Sequence, residues 1–211
     1  MLQLADFEKS YDHHSVLRIP QLDMGPGVYW IKGANGSGKS TLLKAVAGII
    51  DFSGDVRLNG TSIKKQPVNY RKLVNFAEAE PVFPAFLTGR EMVELFMTAK
   101  QAPAKQQDYY LESMQMQAYL DQPLGAYSSG MLKKLSLTLA FIGTPDLILL
   151  DEPLITLDTP SLDILYGWIK ERRQAHGTSF LLSSHQPLEQ NTLTINGVLH
   201  TADKTVKWLP G

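Results

Sequence analysis

The sequence predicts an α/β fold, in which a parallel sheet is preceded by an antiparallel sheet and interrupted by an inserted group of helices. The first observation is a glycine-rich run at residues 33–41, between an apolar segment and a helical one. The second is an alternating segment that closes on Asn59-Gly60, which is a hairpin signal. The third is a change to helical character over residues 81–127, after which strand-like segments return. A chain of 211 residues can hold all of this in one domain.

The elements can be placed in order along the chain. Apolar or alternating runs predict strands over 2–7, 16–19, 28–32, 55–60, 147–150 and 179–183. Helical patterns predict helices over 41–48, 89–100, 105–120, 128–142 and 161–175. Ala102-Pro103 separates the two helices of the insertion, since proline ends a helix. Asn196-Gly197 predicts a second hairpin within 193–199.

The glycine-rich run fits the pattern G-x-x-x-x-G-K-[ST], which binds phosphate when it joins a strand to a helix. Backbone N–H groups and the helix N-terminus attract the anion, and glycine allows close approach. Lys39 would reach the β- and γ-phosphates, and the Ser40 hydroxyl would ligate Mg²⁺. A glycine-rich turn is the alternative, but the flanking strand and helix favour the nucleotide site. The residues predicted to hold the nucleotide are Gly33, Asn35, Gly36, Ser37, Gly38, Lys39, Ser40 and Thr41.

Two acids follow the apolar strand predicted over 147–150. Asp151 and Glu152 stand at its carboxyl end, before Pro153. In that place Asp151 would hold Mg²⁺ largely through water, and Glu152 would orient or deprotonate an attacking water. A surface turn is the alternative for an isolated Asp-Glu-Pro, and the phosphate loop upstream favours the metal site.

Composition limits the function classes. The formal net charge is −1, so nothing indicates nucleic acid or another polyanion as the main partner. The chain has no cysteine, which excludes disulfides and thiolate metal sites and fits a reducing compartment. The first residues lack the pattern of a signal peptide, and no apolar run approaches the roughly 20 residues of a membrane helix. We therefore expect a soluble chain that can sit on a membrane partner.

Further motifs follow in a fixed order: Tyr11, the phosphate loop, Tyr127-Ser128-Ser129-Gly130-Met131, Leu149-Leu150-Asp151-Glu152-Pro153, Leu157-Asp158 and Ser184-His185. Over about residues 2–199 the series resembles the nucleotide-binding subunit of ATP-binding cassette (ABC) transporters. The resemblance implies the ABC ATPase fold, a P-loop NTPase core with a parallel sheet, an N-terminal antiparallel β sub-domain and an α-helical insertion. It divides a single domain, 1–211, into a core (1–80 and 131–211) and a helical sub-domain that includes the signature (81–130).

The resemblance also implies a role for each motif. Tyr11 would stack on adenine, with an ordinary strand-end tyrosine as the alternative. Ser128 and Gly130 of the signature would bind the γ-phosphate of ATP held by a second copy, and Asp158 would lie along that dimer interface. His185 would contact the γ-phosphate and the attacking water, and its place after a parallel strand favours this over an ordinary surface histidine. The implied catalytic residues are Glu152, His185 and Lys39, and the implied Mg²⁺ ligands are Ser40 and Asp151.

The chain departs from the family pattern at two places. The signature has Ser129 and Met131 where the family usually has glycine and glutamine, a form that resembles exporter-type members. The loop that enters the helical sub-domain has Ala79 where a glutamine normally senses the γ-phosphate and Mg²⁺, between Glu78 and Glu80. Either acid could take over that role, or both could be solvated loop residues, because a carboxylate beside phosphate is repelled unless Mg²⁺ intervenes.

The resemblance implies the cytosolic ATPase subunit of an ABC transporter of exporter type, peripheral on the inner face of the cell membrane. Its partners would be membrane-spanning subunits and, with ATP bound, a second copy in a head-to-tail homodimer. The apolar segment 81–86 would line the groove that receives a helix of the membrane subunit, with ordinary packing as the alternative. The rival functions are a non-transport ABC ATPase acting in assembly and a regulatory nucleotide-binding module without turnover.

Overall fold

The computed structural model describes residues 1–12, 14–185 and 193–209. Its strands are β1 (Leu2–Tyr11), β2 (His14–Met24), β3 (Val28–Lys32), β4 (Ser53–Leu58), β5 (Thr61–Ser62), β6 (Val74–Ala77), β7 (Leu147–Asp151), β8 (Ser179–Ser183), β9 (Gly197–Ala202) and β10 (Thr205–Trp208). Its helices are α1 (Lys39–Val46), α2 (Pro67–Leu73), α3 (Gly89–Ala99), α4 (Gln106–Ser113), α5 (Ser129–Phe141) and α6 (Thr159–His176). A 3₁₀ turn covers Leu124–Ala126.

The strands form two sheets, as the sequence predicts. The larger sheet has the order β10-β9-β3-β8-β7-β6. In it, β9, β3, β8, β7 and β6 run parallel, and β10 pairs antiparallel with β9. The smaller sheet is antiparallel, with the order β2-β1-β4-β5. This arrangement confirms the predicted α/β class with an N-terminal antiparallel sheet.

The parallel sheet is covered on both faces. Phe180 and Leu182 of β8 pack with the helical insertion, α5 and α6, whereas Leu181 packs with α1 and the antiparallel sheet. All five residues of β8 and of β7 are buried, which is the pattern of a central parallel strand. Because the carboxyl ends of β3, β7 and β8 lie at one edge, the segments that follow these strands meet there.

The helical insertion is shorter in its second helix than the sequence predicts. Thr88 is the N-cap of helix α3, and its side chain accepts a hydrogen bond from the Glu91 amide in a capping box. The helix predicted over 105–120 is confirmed only over Gln106–Ser113, because Gln115 has φ of 56° and cannot continue a right-handed helix. The buried Arg172 of α6 fixes α4 to the core through a hydrogen bond to the Tyr110 hydroxyl, 2.9 Å away.

Of the two predicted Asn-Gly hairpins, one is confirmed and the prediction of the other is wrong. Asn59-Gly60 does turn β4 into β5, with φ of 49° and 83°. At Asn196-Gly197 the chain does not turn: the Asn196 side chain accepts from the Val28 amide at 2.8 Å and so starts β9 beside β3. The turn between β9 and β10 is formed instead by Asp203 and Lys204, both with positive φ. Within the described ranges, no helix is long and apolar enough to cross a membrane.

Candidate functional site

The glycine-rich loop joins β3 to α1, as the motif requires. Gly36 and Gly38 have φ of 78° and 101°, a region that other residues enter only with strain. Gly38 is the N-cap of α1, and its carbonyl accepts the first helical hydrogen bond from Leu42 at 2.9 Å. At Gly33 the space is also restricted, since a β carbon would lie 2.7 Å from the Thr201 carbonyl oxygen. The loop therefore presents bare backbone and a helix N-terminus to a ligand.

The Lys39 side chain is buried beneath this loop. Its ammonium donates to the carbonyl oxygens of Gly33 at 2.8 Å and Ala34 at 3.2 Å. It also lies 3.8 Å from the Glu152 carboxylate. The positive charge is thus held in the loop, where it can meet phosphate oxygens. The Ser37 hydroxyl is buried in the same loop without a hydrogen-bond partner among the described residues.

The two acids of the second motif lie at the carboxyl end of β7, beside β8. Asp151 is in register with Ser183, and the Ser183 hydroxyl donates to the Asp151 carboxylate at 2.6 Å. The same hydroxyl oxygen accepts from the Glu152 amide at 3.0 Å. Glu152 has φ of 42°, which costs free energy for a residue with a side chain and is typical of functional sites. Ser183 therefore holds both acids from the neighbouring strand.

Glu152 is the centre of a small charged cluster. Its Oε2 lies 3.0 Å from His185 Nδ1 and accepts from the His185 amide at 3.3 Å. Its Oε1 faces Lys39. Glu152 is buried, whereas the side chain of His185 is 40% exposed. This places a carboxylate, an imidazole and an ammonium at the edge of the sheet where the phosphate loop begins.

A buried lysine that the sequence interpretation did not use lies behind this cluster. Lys133 of α5 is 1% exposed, and its ammonium donates to the backbone carbonyls of Glu78, Ala79 and Asp151 at 2.9, 3.1 and 3.0 Å. Burial lowers its pKa to about 8, against the opposing effect of the nearby carboxylates, first of all Asp151.

The two acids beside Ala79 have different surroundings. The Glu78 carboxylate lies 3.2 Å from the Lys44 ammonium of α1, and Glu80 is exposed. Glu78 is therefore held by α1, whereas Glu80 faces solvent.

The signature residues begin a helix. Ser128 is the N-cap of α5, and its hydroxyl accepts from the Met131 amide at 3.3 Å. Gly130 lies close to the loop after the two acids, since a β carbon there would be 3.4 Å from the Thr156 carbonyl oxygen. The exposed Ser128 and the free amides of this 13-residue helix form an N-terminus that can bind an anion.

Asp158 and Tyr11 lie further from the acids. Asp158 is the N-cap of α6, where a hydrogen bond from Ser161 at 2.9 Å holds the pKa of its carboxyl below the usual range. Tyr11 ends β1 with 47% of its surface exposed, and the Lys9 ammonium lies 4.4 Å from its ring centroid. The ring is accessible for stacking, while the Asp158 carboxylate is already occupied by its own helix.

The structure thus brings together the phosphate loop, Lys39, Asp151, Glu152 and His185. The contacts described above for Tyr11, Ser128 and Asp158 are local ones, to Lys9, Met131 and Ser161. Sequence reasoning missed Ser183 and Lys133. Ser183 stands two residues before His185, at the end of a predicted strand next to the one that ends in Asp151. Pairing those two strands in register would have identified it.

The donor set fits Mg²⁺ held jointly by protein and nucleotide. In the described part of the chain, no group of three or more His, Asp or Glu could hold a metal. Mg²⁺ keeps several waters and commonly takes one or two protein ligands plus phosphate oxygens. Asp151, with its carboxylate oriented by Ser183, and Ser40, in the first turn of α1, could supply such ligands.

Comparisons with known proteins identify the family of this chain. Residues 21–155 match the ABC transporter family. The cytochrome c biogenesis ATP-binding export protein CcmA of Legionella pneumophila is 32% identical over 188 residues, which cover 87% of this chain and 93% of that protein. The ABC-type transporter ATP-binding protein EcsA of Bacillus subtilis is 29% identical over 191 residues, which cover 88% of this chain and 77% of that protein.

Solved structures show the same fold. The ATP binding subunit of an ABC transporter superposes with a TM-score of 0.88 and 23% identity, over 98% of this chain and 88% of that one. The dimeric structure of a bacterial ABC transporter cassette gives a TM-score of 0.86 and 20% identity over the whole of both chains. The match in sequence and fold leads to one conclusion: this chain belongs to the ABC transporter family, as an ATP-binding subunit.

Proposed function

We propose that the chain hydrolyses Mg-ATP to drive a transporter of exporter type. The observation that carries the proposal is the position of Glu152, whose carboxylate lies between the Lys39 ammonium and His185 beside the phosphate loop. A buried carboxylate fixed on both sides can accept a proton from water without moving. Lys39, its neighbour, carries the charge that the transferred phosphoryl group requires.

Each residue would contribute a separate effect. Lys39 and the loop amides would bind the β- and γ-phosphates and stabilise the charge that develops on them. Glu152 would take the proton of the attacking water, and His185 would orient that water and the Glu152 carboxylate. Asp151 and Ser40 would hold Mg²⁺, which when bound neutralises phosphate charge. ADP and phosphate are the products.

The complete site would contain two copies of the chain. Ser128 is exposed at the N-terminus of α5, so it can bind the γ-phosphate held by the loop of another copy. Gly130 lies close to the carbonyl of Thr156, two residues before Asp158. A copy that binds at the signature would therefore also meet Asp158. Related cassettes that have been solved as dimers support this arrangement. Tyr11 would stack on the adenine.

The membrane subunit would dock on an apolar groove beside the helical sub-domain. A cavity of about 420 Å³ is lined by Ile49, Pro81, Val82, Phe83 and Phe96, among others. Val82 is 88% exposed, and Phe86 nearby in sequence is 81% exposed. Apolar side chains exposed to this extent are typical of interaction surfaces. Docking there would place the chain on the cytosolic face of a membrane, and the name of the export protein CcmA supports the exporter type.

The test is an ATPase assay on the purified chain and its Lys39→Ala variant. Removing the ammonium should abolish hydrolysis and strongly weaken ATP binding, because the phosphates lose their cation. Lys72→Ala is the matched control, since Lys72 lies exposed on α2. Near wild-type turnover by Lys39→Ala would overturn the proposal.

A further inference from the structure

The Lys133 ammonium is buried and bonded only to backbone. It makes three hydrogen bonds, all to carbonyl oxygens, which matches the three donors of an ammonium group. Across the described ranges, no carboxylate forms an ion pair with it. Lysine is almost never fully buried without a partner, because its charge is costly to remove from water. We therefore attribute the burial of the Lys133 ammonium to the three hydrogen bonds that it makes.

Those contacts join three segments of the fold. Glu78 and Ala79 follow β6, and Asp151 ends β7, the parallel neighbour of β6. The last pair in that ladder is Ala77 with Leu150, so β6 and β7 offer no ladder partner to each other's carbonyls beyond it. Lys133 supplies the missing donor from α5, the helix that begins at the signature. One side chain thus links the signature helix, the loop into the helical sub-domain and the end of β7.

The link ends on the peptide bond before Glu152. The Asp151 carbonyl, which accepts from Lys133, belongs to the peptide unit that joins Asp151 to Glu152. The N–H of the same unit donates to the Ser183 hydroxyl. The peptide plane is therefore held at its oxygen and at its nitrogen, and Glu152 adopts its φ of 42° immediately after it. A rotation of this plane would swing the Glu152 carboxylate away from the loop.

The loop itself offers no side chain for this purpose. Ala79 has only a methyl group, Glu78 is paired with Lys44, and Glu80 is exposed. The contact between this loop and the acids described here passes through its backbone, where Lys133 is bound.

We propose that Lys133 is a positioning residue for ATP hydrolysis, which fixes the peptide before Glu152 and couples it to the loop at 78–79 and to the signature helix. The inference rests on the proposed function, because it assigns a residue to that same reaction. Lys133 acts through Asp151 and Glu152 and does not touch the nucleotide. Its loss should therefore lower kcat with little effect on ATP affinity.

The experiment compares Lys133→Met, which keeps the length of the chain but loses the donors, with Lys100→Met. Lys100 is the matched control, because it also donates to two backbone carbonyls, those of Arg71 and Val74, at the other end of β6. Burial lowers the pKa of Lys100 to about 8, as it does for Lys133. The measurements are kcat, KM, ATP affinity by calorimetry and Tm for each variant, with Lys133→Gln as a third variant that keeps two donors.

We expect Lys133→Met to lower kcat by about 10–100-fold, which is the range for substitution of residues that orient metal ligands. The affinity for ATP should change less than about threefold. Lys133→Gln should fall between Met and wild type, and it carries the same comparison if the Met variant does not fold. Lys100→Met should have a lower Tm than the wild type but the same kcat. Wild-type kcat in Lys133→Met, or equal losses of kcat in the Lys133 and Lys100 variants, would overturn the inference. An inactive wild-type chain would instead count against the proposed function.

Discussion

His185 contacts one oxygen of Glu152 twice, through its ring nitrogen Nδ1 at 3.0 Å and through its own amide at 3.3 Å. Because both contacts go to Oε2, they fix the rotation of the carboxylate. The other oxygen, Oε1, is left facing Lys39 and the phosphate loop, at 3.8 Å from the ammonium. The Glu152 carboxylate, our proposed base, is therefore oriented before a nucleotide arrives, which would lower the reorganisation needed for proton transfer.

Glu152→Gln should slow hydrolysis far more than it weakens ATP binding. The amide keeps the shape of the carboxylate but cannot accept the proton of water. ATP would then persist between Ser128 of one copy and the phosphate loop of the other, and a ligand that binds only the closed dimer draws monomers together. We expect an ATP-dependent dimer by size-exclusion chromatography with light scattering, and none with ADP.

Glu171→Gln is the control for that change, since Glu171 lies on α6 and bonds the Tyr109 hydroxyl at 2.8 Å. It should hydrolyse ATP as the wild type does and remain mainly monomeric. A Glu152→Gln chain that binds Mg-ATP tightly at millimolar concentration yet stays monomeric would contradict the shared site. It would favour a regulatory module.

Tyr11→Ala should weaken ATP affinity by about 1–3 kcal/mol if the ring stacks on adenine. Turnover at saturating ATP should change little, because the ring does not touch the phosphates. Tyr109→Ala is a suitable control, since Tyr109 is 48% exposed and Tyr11 is 47% exposed. Calorimetry measures the affinity of each variant for ATP. Equal affinity in the two variants would mean that Tyr11 does not stack on adenine and is an ordinary strand-end tyrosine.

Ser183→Ala should raise the Mg²⁺ concentration needed for hydrolysis. The hydroxyl orients the Asp151 carboxylate and accepts from the Glu152 amide, so its loss should disturb the proposed metal ligand and the proposed base together. Ser179→Ala removes a buried serine from the other end of β8, where the hydroxyl accepts from the Gly27 amide. Each variant should lose about 1–3 kcal/mol of stability by exposing an unpaired partner, measured by urea unfolding.

Only the Ser183 variant should shift the dependence of turnover on Mg²⁺ concentration, and Ser183→Thr, which keeps the hydroxyl, should shift it less than alanine does. If the Ser179 and Ser183 variants respond to Mg²⁺ alike, Ser183 serves stability alone.

Ala79→Gln should preserve or raise turnover, because a glutamine there could reach the γ-phosphate and Mg²⁺. Glu80→Ala should leave turnover unchanged, since this acid is exposed and has no contact with Asp151 or Glu152 through the bonds of the described residues. Steady-state kinetics at saturating Mg-ATP measures both. A marked loss of turnover in Glu80→Ala would mean that this carboxylate has taken the place of the glutamine.

The sequence predicted the parts of the site that depend on neighbouring residues. The phosphate loop and the strand that delivers Asp151 and Glu152 are local patterns with a local cause. Strand β8 was also predicted with its observed bounds, because its centre, residues 180–182, has the apolar run of a buried parallel strand.

What the sequence did not predict depends on contacts across the chain. Lys133 and Ser183 act through bonds to residues that are distant in sequence, and nothing near them marks those partners. Asn196-Gly197 has the composition of a hairpin turn, yet the hydrogen bond from Val28 decides its conformation. Strand β6 has only four residues and no clear alternation, so it emerges only by pairing with β7.

Because Lys133 binds carbonyl oxygens and not side chains, every amino acid at positions 78 and 79 can serve it equally well. The loop is then free to drift in sequence, whereas substitution at 133 is not tolerated so readily. Among relatives of this chain, the residues at 78 and 79 should therefore vary more freely than the residue at 133.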